Sequence, residues 1–212
     1  MTEYQNIKSD FLERIENHRI EVLLDNELYR HLRFKQPKTN SYWFDIITWP
    51  GNLCIRGDMG CYAFARIEDM FEFFVSETRD PLFINPCYWA EKLQAINGNG
   101  LGDYSIKEFS AKLFNENVRS ILAQYLRYND LSRDQKKTLI QEVKEEILTL
   151  PEGSDQHDTI CDALDFSFEG EYIFQDLWDY NCTQYKYHYI WCLYAIVWGI
   201  QQYVASKKKE AA

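Results

Sequence analysis

The chain has only five prolines, nine glycines and three methionines in 212 residues, so each Pro or Gly cluster marks a definite turn. Neither GxGxxG nor GxxxxGK[ST] occurs, which removes the dinucleotide and P-loop readings. HExxH, HxE with PCxxC and the GxSxG elbow are missing as well. Zinc hydrolase, zinc deaminase and α/β-hydrolase chemistry therefore have no motif to rest on. The six cysteines, at 54, 61, 87, 161, 182 and 192, form no CxxC pair. Because MTEYQNIKSDFLERIENHR is polar and mixed in charge, no secretory signal is read there. The chain is expected to stay where it is made, with reduced, partly buried thiols and no disulfide or zinc framework. Cys54 and Cys61 read as packing residues on strands, since neither stands in a context that predicts a lowered pKa.

A membrane-length apolar segment is also lacking. The uninterrupted run Tyr189 to Ile200 is flanked by Lys186, His188, Gln201 and Gln202 and falls short of the ~20 residues a span needs. Apolar on nearly every side, it predicts a central buried helix over about 185–205. Basic charge is scarce: the net charge is −10, and residues 141–180 hold twelve acids against Lys144 alone, leaving +1 for the rest of the chain. A protein that grips nucleic acid directly needs a basic footprint, so no direct nucleic-acid binding and no membrane partner are expected.

What is present is aromatic and globular, with 46% hydrophobic residues and 16% aromatics, enough to bury a substantial core. Ile7, Phe11, Leu12 and Ile15 predict a short helix, with Ser9 or Asp10 as possible caps. HRIEVLL and LYRHLRF around Asp25-Asn26-Glu27 predict a hairpin. Tyr42 to Thr48 predicts a strand with Tyr42, Phe44 and Ile46 on one face and Trp43, Asp45 and Ile47 on the other. Pro50-Gly51-Asn52 and Gly57-Asp58-Met59-Gly60 predict turns around two further strands. From Ile67 the spacing becomes helical as far as Val75. A short helix is read at Tyr88 to Ile96, then a loop through NGNGLGDY. Ser105 with Glu108 is read as a capping box for a helix to Tyr128, and Ser132 with Gln135 as one for a helix ending at Pro151. The segment from Gly153 to Asn181 reads as partly irregular. The expected fold is α+β: an N-terminal antiparallel meander of about five strands packed against a C-terminal helical bundle with a buried last helix. Residues 1–80 supply the meander and first core helix, and 81–212 the helical part, together one compact unit.

Candidate functional residues fall in two places. Arg30, His31, Arg33, Asp45, Trp49 and Asp58 are the set that a small-ligand or nucleotide pocket at the meander would use. An Arg-His pair beside Asp45 and Asp58 has the makings of acid-base chemistry. Asp58 in its Gly turn can equally bond its own backbone, and the RHLR charges can pair with nearby acids. The second set is Asp162, Asp165, Glu169, Glu171, Asp176 and Asp179, interleaved with Phe166, Phe168, Tyr172, Phe174 and Trp178. An acidic run is a solvated face by default. Aromatic anchors among complementary charges also make a protein interface. His157, Asp158, Cys161 and Asp162 have ligand chemistry but no second half of a metal site. No catalytic residue, metal or cofactor is assigned.

The strings YRHLRF, YWFDIITWPGNLCIRGDMGCYAFARIEDMFEFF and YHYIWCLYAIVWGIQQY resemble a family of bacteriophage and prophage proteins of proteobacteria. That family's pattern is an RHLRF-type strand, FD(L/I)ITWPG, GDMG and a (D/E)MFEFF helix. The resemblance covers the first third of the chain and its last helix. It implies a viral origin and the host cytoplasm as setting, and no activity or site residue comes with it. The leading expectation is a non-enzymatic accessory protein that binds a host or phage protein, such as a basic nucleic-acid-handling complex whose channel the acidic block would occupy in imitation of nucleic acid, as an inhibitor of antiviral defence of the anti-CRISPR kind. A ligand-binding protein or enzyme, and a virion structural or assembly factor, are the alternatives, and the oligomeric state stays open.

Overall fold

The computed structural model describes residues 4–75, 79–97, 105–149 and 155–210, and the fold is α+β. Its contacts divide the chain into two compact units, one made of Met1–Ile106 with Tyr185–Ala212 and one of Lys107–Gln184. The first therefore recruits the C-terminal helix across a long stretch of sequence, a division different from the expected boundary at residue 80.

The first unit opens with α1 (Gln5–Ile15), which buries Phe11 and Ile15. Its start has no side-chain cap, and Ser9 instead donates to the Gln5 carbonyl within the helix. Next come β1 (Arg19–Asn26), β2 (Tyr29–Lys35), β3 (Phe44–Trp49), β4 (Asn52–Gly57) and β5 (Gly60–Ala65). Each strand pairs antiparallel with the next, and the turns fall where the sequence places them. Glu27 (φ 55°) and Gly51 (φ 78°) supply the left-handed turn conformations. Gly57 is required for a different reason: a Cβ there would lie 2.1 Å from the Trp43 carbonyl oxygen.

After β5 the chain makes α2 (Met70–Phe74) and α3 (Pro86–Ala90). The helix expected from Ile67 begins only at Met70, because Asp69 stays extended and its carboxylate accepts from the Phe71 N–H at 2.9 Å. The helix expected over Tyr88 to Ile96 stops at Ala90. Residues Leu93–Asn97 form β6, which pairs antiparallel with β5 and completes a six-stranded sheet. Pairing explains the change: without β6 the backbone polar groups on the edge of β5 away from β4 would have no ladder partner.

The second unit begins with β7 (Lys107–Phe109), then α4 (Ala111–Tyr128) and α5 (Arg133–Glu146). The α4 cap is Ser110, not the expected Ser105, since residues 107–109 are extended. The Ser132–Gln135 capping box of α5 is present in both directions. This helix ends at Glu146, and its expected end at Pro151 lies outside the described residues, as does most of NGNGLGDY. The segment read as irregular contains α6 (Gln156–Asp165), the two-residue strands β8 (Ser167–Phe168) and β9 (Glu171–Tyr172), and a 3-10 turn at Gln175–Asp179. A left-handed pair at Glu169 (φ 52°) and Gly170 (φ 86°) closes the β8–β9 hairpin. The core of this unit comprises Phe114, Val118, Leu139, Val143, Ile160, Ala163, Phe174 and Leu177 with their neighbours. The strand β10 (Thr183–Tyr185) pairs with β7, so entry to and exit from the segment lie side by side.

The chain then forms α7 (Tyr187–Glu210), buried on every side from Tyr189 to Val197. It packs against α1, α2 and strands β1, β3 and β5. Phe11, Phe44, Trp191 and Trp198 meet there in edge-on pairs. Gly199 lets the helix approach closely, since a Cβ there would stand 2.5 Å from Ile46 Cδ1. Among the described residues, no helix is long and apolar enough to cross a membrane.

Candidate functional site

The two faces of the sheet differ. Register places Phe34 beside Phe44, Leu32 beside Ile46 and Ile55 beside Tyr62 on the face that α7 covers. Ile47, Cys54, Cys61 and Ala63 point the other way, are half-buried and take no part in the buried cluster. Across that second face the register sets Glu21, Arg33, Asp45, Arg56 and Cys61 in one row, each on a successive strand.

Asp45 is the centre of the row and is fully buried. Arg33 Nε and Nη2 donate to its two carboxylate oxygens at 2.9 and 3.0 Å, and His31 Nε2 lies 3.1 Å from Oδ2. Burial alone pushes this carboxyl up, but the hydrogen bonds and charges of Arg33 and His31 together hold it below the ordinary aspartate value. Three of the six predicted pocket residues thus converge, and they do so on one another. Trp43, which sequence reasoning passed over, lies between two guanidiniums, 5.7 Å from that of Arg33 and 5.2 Å from that of Arg56. Its signal was the two-residue alternation that puts Trp43 on the face of Asp45. A shallow cavity of about 230 Å³ lies here, lined by Arg33, Lys35, Asn40 and Trp43.

The other predicted pocket residues lie elsewhere. Arg30 makes a two-pronged pair with Asp69 at 2.8 and 2.8 Å and lies over the Phe71 ring, tying β2 to the start of α2. Asp69, bonded by Arg30 first of all, is held below the usual carboxylate range. Asp58 accepts from the Tyr42 N–H, which fixes Tyr42 at φ 58° and closes the loop before β3. Trp49 is exposed at the end of β3. Arg30, Trp49 and Asp58 therefore do not join the His31–Arg33–Asp45 group.

In the second unit all six predicted acids are exposed. Glu171 accepts from the Tyr125 hydroxyl at 2.8 Å, and Glu169 from the Gln135 amide at 2.8 and 2.9 Å. Asp162, Asp165, Asp176 and Asp179 have no ion-pair or hydrogen-bond partner among the described residues. The aromatic residues separate into two groups. Phe166, Phe168 and Phe174 are core, contrary to their reading as interface anchors, because each lies on the inward side of its short element. Tyr172 and Trp178 are exposed, at 60% and 53%. Trp178 lies against α6, with its ring 6.2 Å from that of His157.

The chain matches no protein-family model, no curated protein and no solved structure. Chemistry must therefore be read from the geometry. Cys161 Sγ lies 3.7 Å from His157 Nε2, yet among the described residues no three His, Cys, Asp or Glu side chains gather as metal ligands.

Proposed function

We propose that the protein is a non-enzymatic binding module whose second unit presents an acidic, aromatic surface to a basic protein partner. The observation that carries this reading is the set of four exposed aspartates, Asp162, Asp165, Asp176 and Asp179, unpaired among the described residues, in the same unit as an exposed Trp178. The placement of Asp162 and Asp165 works against the local fold. Asp158, Asp162 and Asp165 recur on one side of α6, where like charges three and four residues apart repel. Asp165 also sits in the last turn, at the negative end of the helix, and no basic residue stands there. Lys107–Gln184 as a whole carries sixteen acids against eight bases. Acids that disfavour their own helix are accounted for by a cationic partner that they attract. The reactive-looking group on the sheet argues in the same direction, since Asp45 is satisfied by His31 and Arg33 and so serves as scaffold.

The resemblance to phage proteins supplies the setting: a host antiviral complex that handles nucleic acid, such as a CRISPR-Cas effector, offers the basic channel that such a surface fits. Immobilised full-length protein should retain a nucleic-acid-handling complex from host lysate at low salt. Added nucleic acid should compete, and the variant D162N/D165N/D176N/D179N should lose most of the binding. Equal retention by the neutralised variant would overturn the proposal.

A further inference from the structure

On the second face of the sheet, Cys54 of β4 and Cys61 of β5 point the same way with their sulfurs 3.7 Å apart. The register explains the meeting. Gly57 pairs with Gly60, Arg56 with Cys61 and Cys54 with Ala63, so the two cysteines are diagonal neighbours across one strand pair. Neither belongs to the buried cluster beneath α7, and both are half-buried on the face that the cluster leaves alone. Arg56 stands directly opposite Cys61 with no carboxylate ion pair among the described residues. We propose that Cys54 and Cys61 form a peroxide-reactive dithiol, with Cys61 the attacking sulfur and Cys54 the one that resolves it.

Two features assign the parts, and a third brings them within reach of each other. A thiolate is the nucleophile in such chemistry, and with the Cys54 thiol donating to it and Arg56 directly opposite on β4, Cys61 is held below the ordinary cysteine value against the opposing effect of burial. The same hydrogen bond, together with burial, pushes Cys54 up, so it keeps its proton. The third is proximity, since the resolving sulfur already touches the attacking one. By contrast Cys192 lies entirely within the core and is raised by that burial.

The reaction balances with a hydroperoxide as the oxidant. The Cys61 thiolate attacks the terminal peroxide oxygen, the O–O bond breaks, and the alkoxide or hydroxide that leaves takes up the thiol's proton. Cys61 is then a sulfenic acid. The Cys54 sulfur attacks it, the S–O bond breaks, and hydroxide departs with the Cys54 proton as water. Two thiols are oxidised by two electrons to one disulfide, and one peroxide is reduced to an alcohol, or water, plus water. The product links adjacent strands β4 and β5.

The test is intact-mass and peptide mapping of the reduced full-length protein after a slight molar excess of hydrogen peroxide. The expected result is a loss of about 2 Da that a dithiol reverses, with a single cross-linked peptide pair joining Cys54 to Cys61. In C54S, Cys61 should instead be trapped as a dimedone adduct. C61S should give neither product at a comparable rate, and C87S should behave as wild type. The idea is overturned if wild-type protein keeps both thiols alkylatable while exposed Cys87 oxidises, or if the recovered link joins other cysteines. Thiol counting on the wild-type chain decides the matter even if a serine variant fails to fold.

Discussion

Asp45 has no exposed surface, yet it lies on the face of the sheet that the aromatic core does not occupy. Its neighbours Arg33 and His31 cover it, and each remains about a third exposed. Removing the charge leaves two donors without their acceptor. Asp45→Asn should therefore lower stability by about 2–3 kcal/mol near neutral pH, measured by urea denaturation. The native carboxyl sits below the ordinary aspartate value of 3.8. Its contribution is thus complete above that value and is lost as pH falls through the lower native one. Wild-type stability should fall more steeply than that of Asp45→Asn as the pH drops below 3.8. Parallel curves would refute the assignment. Period-two alternation put His31 and Arg33 on one face of their own strand and Asp45 on the face of its strand that Trp43 and Ile47 share. It did not show that they bond each other, because that depends on which residue of β2 stands opposite Asp45.

Among the elements, α5 was the most legible, since both halves of its capping box lie within four consecutive residues. Ser132 Oγ accepts from the Gln135 N–H, and the Gln135 amide oxygen accepts from the Ser132 N–H. Ser132→Ala should cost about 1 kcal/mol, read as a lower urea midpoint with an unchanged slope. No change in midpoint would mean that α5 is set by packing alone. Local chemistry misled where two choices had equal signals. Ser105 and Ser110 both precede helix-forming sequence, and the outcome turned on residues 107–109 finding β10 as a strand partner. LQAIN likewise suits a helix or a strand, and the free edge of β5 decided for strand. The Cys54–Cys61 meeting was within reach of sequence reasoning. A turn at Asp58-Met59 sets Gly57 opposite Gly60, and counting outward from there brings the two cysteines to one diagonal.

At the scale of the molecule, the segment Lys107–Gln184 carries its own buried cluster, and its two ends are held together by the β7–β10 pair and by the Ser110 N–H donating to the Cys182 carbonyl at 2.8 Å. An excised 107–184 fragment is expected to unfold cooperatively when followed by circular dichroism, whereas a broad, featureless melt would refute its independence. A fragment of the first 106 residues alone should fail to fold, because it lacks α7 and so leaves the aromatic face of the sheet in water. The sequence by itself determined the α+β class, the hairpin turns, the sidedness of the strands, the buried character of α7 and the acidity of residues 141–180. Each depends on periodicity, turn chemistry or charge within a few residues of chain. Only the tertiary structure decided that α7 joins the sheet across the intervening unit, that β6 completes that sheet, that three of the five interleaved aromatics are core, and that Asp45 is neutralised by its own neighbours. These outcomes depend on pairings between residues distant in sequence, and such pairings are selected by which surfaces and backbone groups would otherwise be left unpaired in the folded chain.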